Sequence, residues 1–244
     1  MLNLKKSAIP LSAIFVAILC AACTPDRAPE IESPVYSDGK TMSFDDIRAL
    51  AKKGDALIFE DFTAYKGMNV SSNTNRYTMV YPVAGSYRLI VDSASSGKPQ
   101  STALENIWED SGSGIDIRHG DLDEFLSKWP IDMLVKDGAA SPLGVTVTLK
   151  NLTDAEYIYG DDYAVQRKTD DGWTAVEPIN GELASNAIGY PLQALESAEI
   201  TVNWEWAYGK LPAGDYRITK TAALVRHPGD YDNFTLFAAF TITE

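Results

Sequence analysis

From Val145 onward, apolar residues fall on alternate positions. Val145, Val147 and Leu149 alternate with Thr146, Thr148 and Lys150. Ile200, Val202, Trp204 and Trp206 alternate with Thr201, Asn203 and Glu205, and Phe234, Leu236, Ala238, Phe240 and Ile242 repeat the pattern. A period of two puts one set of side chains on one face of a strand, so each segment has one face to bury. Several such strands, joined by Gly and Asp turns with no helical stretch between them, predict a β-sandwich over residues 131–244. Seven or eight strands are expected, from Asp132–Lys136 to Asn233–Thr243, with Asp170-Asp171-Gly172 as a hairpin turn.

Covalent cross-links do not enter this fold. The chain has two cysteines, Cys20 and Cys23, and both close its first apolar run. Lys5 and Lys6 precede that run, which ends Ile18-Leu19-Cys20-Ala21-Ala22-Cys23. A charged start, a short apolar stretch and a small-residue cut site are the parts of a secretory signal. The segment resembles a bacterial lipoprotein signal, which implies cleavage after residue 22 and lipid on Cys23. Small Ala21 and Ala22 suit the positions before the cut; Cys20 as acceptor would need a cut after the larger Ile18-Leu19. The alternative is an uncleaved transmembrane anchor. Ala8 to Ala22 is about fifteen residues, against the roughly 20 that span a bilayer, and Pro10 interrupts it. Residues 1–22 are thus read as signal peptide, and residues 23–40, with Pro25, Pro29 and Pro34 among acids, as a disordered tether. The expected location is the extracytoplasmic face of a bacterial membrane, with membrane lipid as partner through Cys23.

The chain carries 34 acidic and 21 basic residues, a net charge of −13. Removing residues 1–22 takes away Lys5 and Lys6 and no acid. Negative charge repels phosphate backbones and anionic headgroups, which argues against nucleic acid as a partner and against a basic membrane-docking face.

Residues 41–130 read as an α+β module. Ser43 with Asp46 forms a capping-box start, and Phe44, Ile47, Leu50 and Ala51 share a helical face. Arg76–Val83 and Tyr87–Ser93 predict a hairpin around Ala84-Gly85-Ser86, and Leu104–Trp108 and Gly114–Arg118 two further strands. Asp121–Trp129 predicts a second helix, ended by Pro130. The phrases Ala51-Lys-Lys-Gly54, Phe59-Glu-Asp-Phe62 and Gly114-Ile-Asp-Ile-Arg118 resemble a small module of unassigned function in bacterial extracytoplasmic proteins. That likeness implies no activity.

In the second module Asn151-Leu-Thr-Asp154, Asp171-Gly-Trp173, Trp204-Glu-Trp206 and Tyr208-Gly-Lys-Leu-Pro-Ala-Gly-Asp-Tyr-Arg217 are similar to a bacterial immunoglobulin-like domain. The resemblance implies a spacer or binding scaffold outside the cell, without catalytic residues. Tyr216 opens a strand just after the Pro212–Gly214 turn, where its hydroxyl can bond back to the corner backbone.

Little in the chain points to catalysis. His119 and His227 have no metal-ligand spacing between them, and no nucleophile elbow, phosphate loop or His-Glu-x-x-His is present. Asp121-Leu-Asp-Glu124 opens a helix, where acids complement the helix dipole. Glu60-Asp61 could join a carboxylate pair of the glycosidase kind, but sequence does not give the separation. Neither a metal nor any other cofactor is expected. Aromatics are the candidate ligand contacts: Trp206 and Tyr208 near a strand end, and Tyr159 in a tyrosine cluster around Gly160. Trp204 is expected in the core. The sequence reading is therefore a non-catalytic, lipid-anchored protein acting in binding, adhesion or envelope sensing, with an envelope glycan or protein as possible partner. The alternatives are an extracytoplasmic hydrolase of envelope polymer and a purely structural spacer.

Overall fold

A computed structural model of the chain describes residues 35–36, 39–71, 76–94, 98–109, 114–181 and 188–243. The signal segment and Cys23 lie outside the described residues. Helix α1 (Phe44–Ala51) starts as its sequence dictates: the Asp46 N–H donates to Ser43 Oγ (3.2 Å) and the Ser43 N–H to Asp46 Oδ2 (2.9 Å). Its buried face is Phe44, Ile47 and Leu50. Two short 3-10 turns follow, Gly54–Ala56 and Phe59–Phe62.

A five-stranded antiparallel sheet comes next, in the order β1 (Val35–Tyr36), β2 (Gly67–Asn69), β3 (Arg76–Val83), β4 (Tyr87–Ala94) and β5 (Pro99–Asn106). Val35–Tyr36, in the segment read as tether, is therefore paired in this sheet, and the ordered fold begins before Thr41. Met79, Tyr81, Val83, Leu89, Val91 and Leu104 alternate onto one face and bury against α1 and helix α2 (Leu122–Lys128). Asp121 caps α2, accepting from the Asp123 and Glu124 N–H groups, so this acid is used in starting the helix. Gly114–Arg118 departs from the expected strand. It makes one bridge, Ile115 to Leu104, and then turns, because the Asp116 carboxylate folds back onto the Arg118 N–H and guanidinium.

The second module is a sandwich of two antiparallel sheets, nine strands among the described residues. One sheet holds β12 (Ser197–Asn203), β7 (Gly144–Asn151) and β6 (Ile131–Ser141) in that order. The other is built on β13 (Gly214–His227). That strand pairs along one edge with β14 (Asp230–Ile242), and along the other with β9 (Ala164–Thr169) and then β8 (Tyr157–Tyr159). Strands β10 (Gly172–Ala175) and β11 (Tyr190–Leu192) complete it. Val145, Val147, Leu149, Val202, Leu236, Ala238, Phe240 and Ile242 fill the space between the sheets, as their alternation requires. Asp170-Asp171 forms the β9–β10 turn. The Tyr216 hydroxyl donates to the Pro212 carbonyl at 2.9 Å, closing the corner.

The two modules pack within one compact unit, Ser33–Glu244. Leu152, in the loop after β7, belongs to the first module's core, and Arg48 Nη2 donates to its carbonyl. On the sandwich side Trp108 packs against Trp173 and Phe237, with ring centroids 6.0 and 5.7 Å away. The Arg217 guanidinium lies 4.5–5.4 Å from the rings of Phe237, Trp173 and Trp108. A cation facing several aromatic rings adds electrostatic attraction to the apolar contact.

Candidate functional site: the aromatic end of the sandwich

Strand β12 ends at Asn203, and the chain then makes a single helical turn, α3 (Glu205–Tyr208). The Asn203 side chain causes the change, accepting from the Glu205 N–H through Oδ1 at 3.0 Å. The N–H groups of Ala207 and Tyr208 both return to the Trp204 carbonyl. Gly209 closes the turn at φ 66°, a left-handed angle that favours glycine. The alternation read through Trp204-Glu-Trp206 is thus broken. Trp204 is 0% exposed, stacked on Phe240, with Nε1 donating to the Pro142 carbonyl at 3.0 Å. Trp206 is carried round to the outside and is 69% exposed.

The loop after β10 fixes this turn. Ile179 N–H donates to the Ala207 carbonyl at 2.8 Å, and Asn180 Nδ2 to the Trp206 carbonyl at 2.6 Å. Trp206 therefore stands on a turn whose backbone is tied to a second loop. Ile179 is 66% exposed, and Leu143 at the β6–β7 turn is exposed as well. The backbone of that same turn holds Trp204 and Leu211, through the Leu143 and Pro142 carbonyls. Three exposed apolar side chains thus come from connections gathered at one end of the sandwich. Sequence reasoning missed Ile179 and Leu143. Both sit beside prolines in connections where an apolar residue has no strand face to fill, and that was the available signal.

The other two candidate aromatics do not join this end. Tyr208 is 7% exposed and packs against Tyr163, ring centroids 6.3 Å apart; burial raises its hydroxyl pKa. The helical turn directs it inward, so it is a core residue and offers no ligand face. Tyr159 is half-buried at the β8–β11 edge. Its ring lies 5.6 Å from that of Tyr190, and its backbone pairs with Ala222, well along β13 from Gly214.

Several charged side chains in the two modules are engaged structurally. Asp61 accepts from the Ile58 N–H and pairs with Lys53, which holds its carboxyl below the usual range. His119 faces Asp55 at 3.2 Å and His227 faces Asp230 at 3.1 Å. Asp162 accepts from the Thr221 N–H. Lys220 is buried in the sandwich and donates to the Gly160 and Asp162 carbonyls, and burial lowers its pKa. Among the described residues no group of three or more His, Cys, Asp or Glu side chains could hold a metal ion. A half-open cleft of about 230 Å³ between Trp129–Ile131 and Asn233–Phe237 is lined mainly by apolar groups. It is smaller than the usual small-molecule site of about 300–1,000 Å³. A shallower basin holds Arg48, Lys52, Arg118 and His119. Within it Arg118 is bound to Asp116 and to the Pro99 and Gln100 carbonyls.

The fold is that of a two-module, mainly β protein whose second module is an immunoglobulin-like sandwich. Residues 127–241 match the model of a family described as bacterial Ig-like domain. The match begins just before Pro130 and covers the sandwich, leaving the α+β module outside it. No curated protein matches the chain. Among the described residues no helix is long and apolar enough to cross a membrane.

Proposed function

We propose that this protein is a non-catalytic binding protein of the bacterial envelope. It is anchored on the extracytoplasmic face of a membrane by lipid on Cys23, and it holds an envelope glycan or protein at the Trp206 end of its sandwich. The carrying observation is the exposed indole of Trp206 on a turn tied to the Ile179–Asn180 loop. Removing a large flat ring from water on binding is favourable, and a turn already fixed loses little entropy when it does so. The bacterial Ig-like match supports a scaffold role. The run ending in Ala21-Ala22-Cys23 supports the anchor, and the net charge of −13 argues against nucleic acid.

The test is retention of the full-length protein, in mild detergent, on isolated envelope glycan polymer and on immobilised envelope proteins. Retention on one of these, weakened at least tenfold by Trp206→Ala, supports the proposal. Equal retention by the variant removes Trp206 from the site. Release of soluble fragments from the polymer would favour the hydrolase reading, and no retention on either surface the spacer.

A further inference from the structure

Asp132 is the second residue of β6. Its neighbours Ile131 and Met133 belong to the sandwich core. The strand period sends the Met133 side chain between the sheets and the Asp132 side chain to the outer face. A carboxylate there would ordinarily meet water, yet Asp132 is 1% exposed. Its cover is the β3–β4 turn, Ala84-Gly85-Ser86, from the other module. Gly85 adopts φ 74°, and a Cβ at that position would stand 2.2 Å from Asp132 Oδ1, so the turn presses bare backbone onto the carboxyl. The Ser86 N–H donates to Oδ1 at 3.2 Å, while Oδ2 is buried without a hydrogen-bond partner. The Ser86 hydroxyl donates to the Phe237 carbonyl on β14 at 3.2 Å. The next residue, Tyr87, donates to the Trp129 carbonyl at 3.2 Å, at the join between the modules. One turn of the first module therefore touches β6, β14 and the connecting segment through adjacent residues, with a carboxyl group beneath it.

We infer that Asp132 is a pH-sensitive latch between the two modules, closed in acid and loosened as the pH rises towards neutrality. A neutral carboxyl can sit beneath the turn. A carboxylate has one bonded oxygen and one bare oxygen there, in a site from which water is excluded. The other groups facing it are few. Lys150 is its cross-strand partner on β7 and favours the charged form, Tyr87 on β4 is buried beside it, and β14 contributes only backbone at Phe237. Burial dominates and pushes the Asp132 carboxyl up to about 7, against partial relief from the backbone of Ser86 and Met133, from Lys150 and from the Ser86 hydroxyl. Parting the turn from β6 rehydrates the group and returns it to the ordinary range near 4. The open form then binds fewer protons than the closed form between these two values. Opening should become about tenfold easier per pH unit from about pH 4 to about 7 and level off above. The latch is independent of whatever Trp206 binds.

The test is amide exchange of the full-length protein from pH 4.5 to 8, corrected for the intrinsic pH dependence of exchange. The probe is the amide of Ser86, which bonds Asp132 across the seam. Its protection should lie below that of the β7 amides, fall up to about a hundredfold between pH 5 and 7, and then flatten. Asp132→Asn should remove the slope. Protection flat with pH, the same slope in Asp132→Asn, or a Ser86 amide as protected as β7 throughout would each overturn the latch. Should the variant not fold, the carboxyl carbon of Asp132 in the unmodified chain decides: a midpoint above 6 supports the latch and one near 4 refutes it.

Discussion

Trp204 and Trp206 are two residues apart and occupy opposite environments, the first stacked on Phe240 in the core and the second in solvent. Their separation follows from the helical turn that Asn203 starts and Gly209 ends. Truncating each ring should therefore have different consequences. Trp204→Ala leaves a cavity between the sheets and should cost about 3–5 kcal/mol. Trp206→Ala touches little of the core and should change stability by no more than about 0.5 kcal/mol. Denaturant unfolding of the full chain measures both. A Trp204→Ala midpoint equal to that of the parent would place the ring outside the core.

The Tyr216 hydroxyl donates to the Pro212 carbonyl, and its ring stacks on Phe240 with centroids 5.7 Å apart. Tyr216→Phe keeps the ring and removes the hydrogen bond. The expected loss is about 1 kcal/mol, the usual net worth of such a bond, with an unchanged denaturant slope. A loss below about 0.3 kcal/mol would mean that water replaces the hydroxyl at that corner without cost.

The parts legible in the sequence are those written by local periodicity or local capping. Val145, Val147 and Leu149 bury because their spacing gives them one face, and Ser43 with Asp46 starts α1 because both capping bonds are local. Tyr216 follows its turn at a fixed offset, so its bond could be anticipated. The turn after Asn203 could not be read the same way. Trp204-Glu-Trp206 continues the period of two, and the hydrogen bonds that break it come partly from distant residues, Leu143 and Asn180. Tyr208 was misplaced for the same reason. The seam was illegible because Trp108 meets Phe237, and Gly85 meets Asp132, only after both modules have formed. Asp132, the second residue of β6, lies on the strand's outer face, and nothing in its local sequence shows the turn that covers it.

Cys23 is expected to carry lipid. Its position after Ala21-Ala22 is the motive, and the full chain offers a direct measurement. Stable anchoring takes two or more acyl chains, since one gives only marginal membrane binding. Mass spectrometry of the membrane-purified protein should show residues 1–22 missing and diacylglycerol-sized mass added at Cys23. Cys23→Ala should accumulate as the unprocessed chain or appear in the soluble fraction. A variant processed and membrane-bound like the parent would remove the anchor from the account.

Acid should weaken the first module through Asp46. Burial raises the pKa of this carboxyl, but Lys40, Ser43 and Tyr65 all hydrogen-bond to the charged form and together hold it well below the usual carboxylate range. The native state then binds fewer protons than the unfolded chain once the pH drops below about 4, the ordinary aspartate value. Stability contributed by the ionised group is complete above that value and is lost progressively as the pH falls towards the native one. Asp46→Ala removes both this slope and the capping box of α1, which alone should cost about 1 kcal/mol at neutral pH. Unfolding curves of parent and variant at pH 7, 5, 4 and 3 should therefore converge as the pH falls. A difference that stays constant from pH 7 to pH 3 would show that Asp46 acts through packing, with no contribution from its charge.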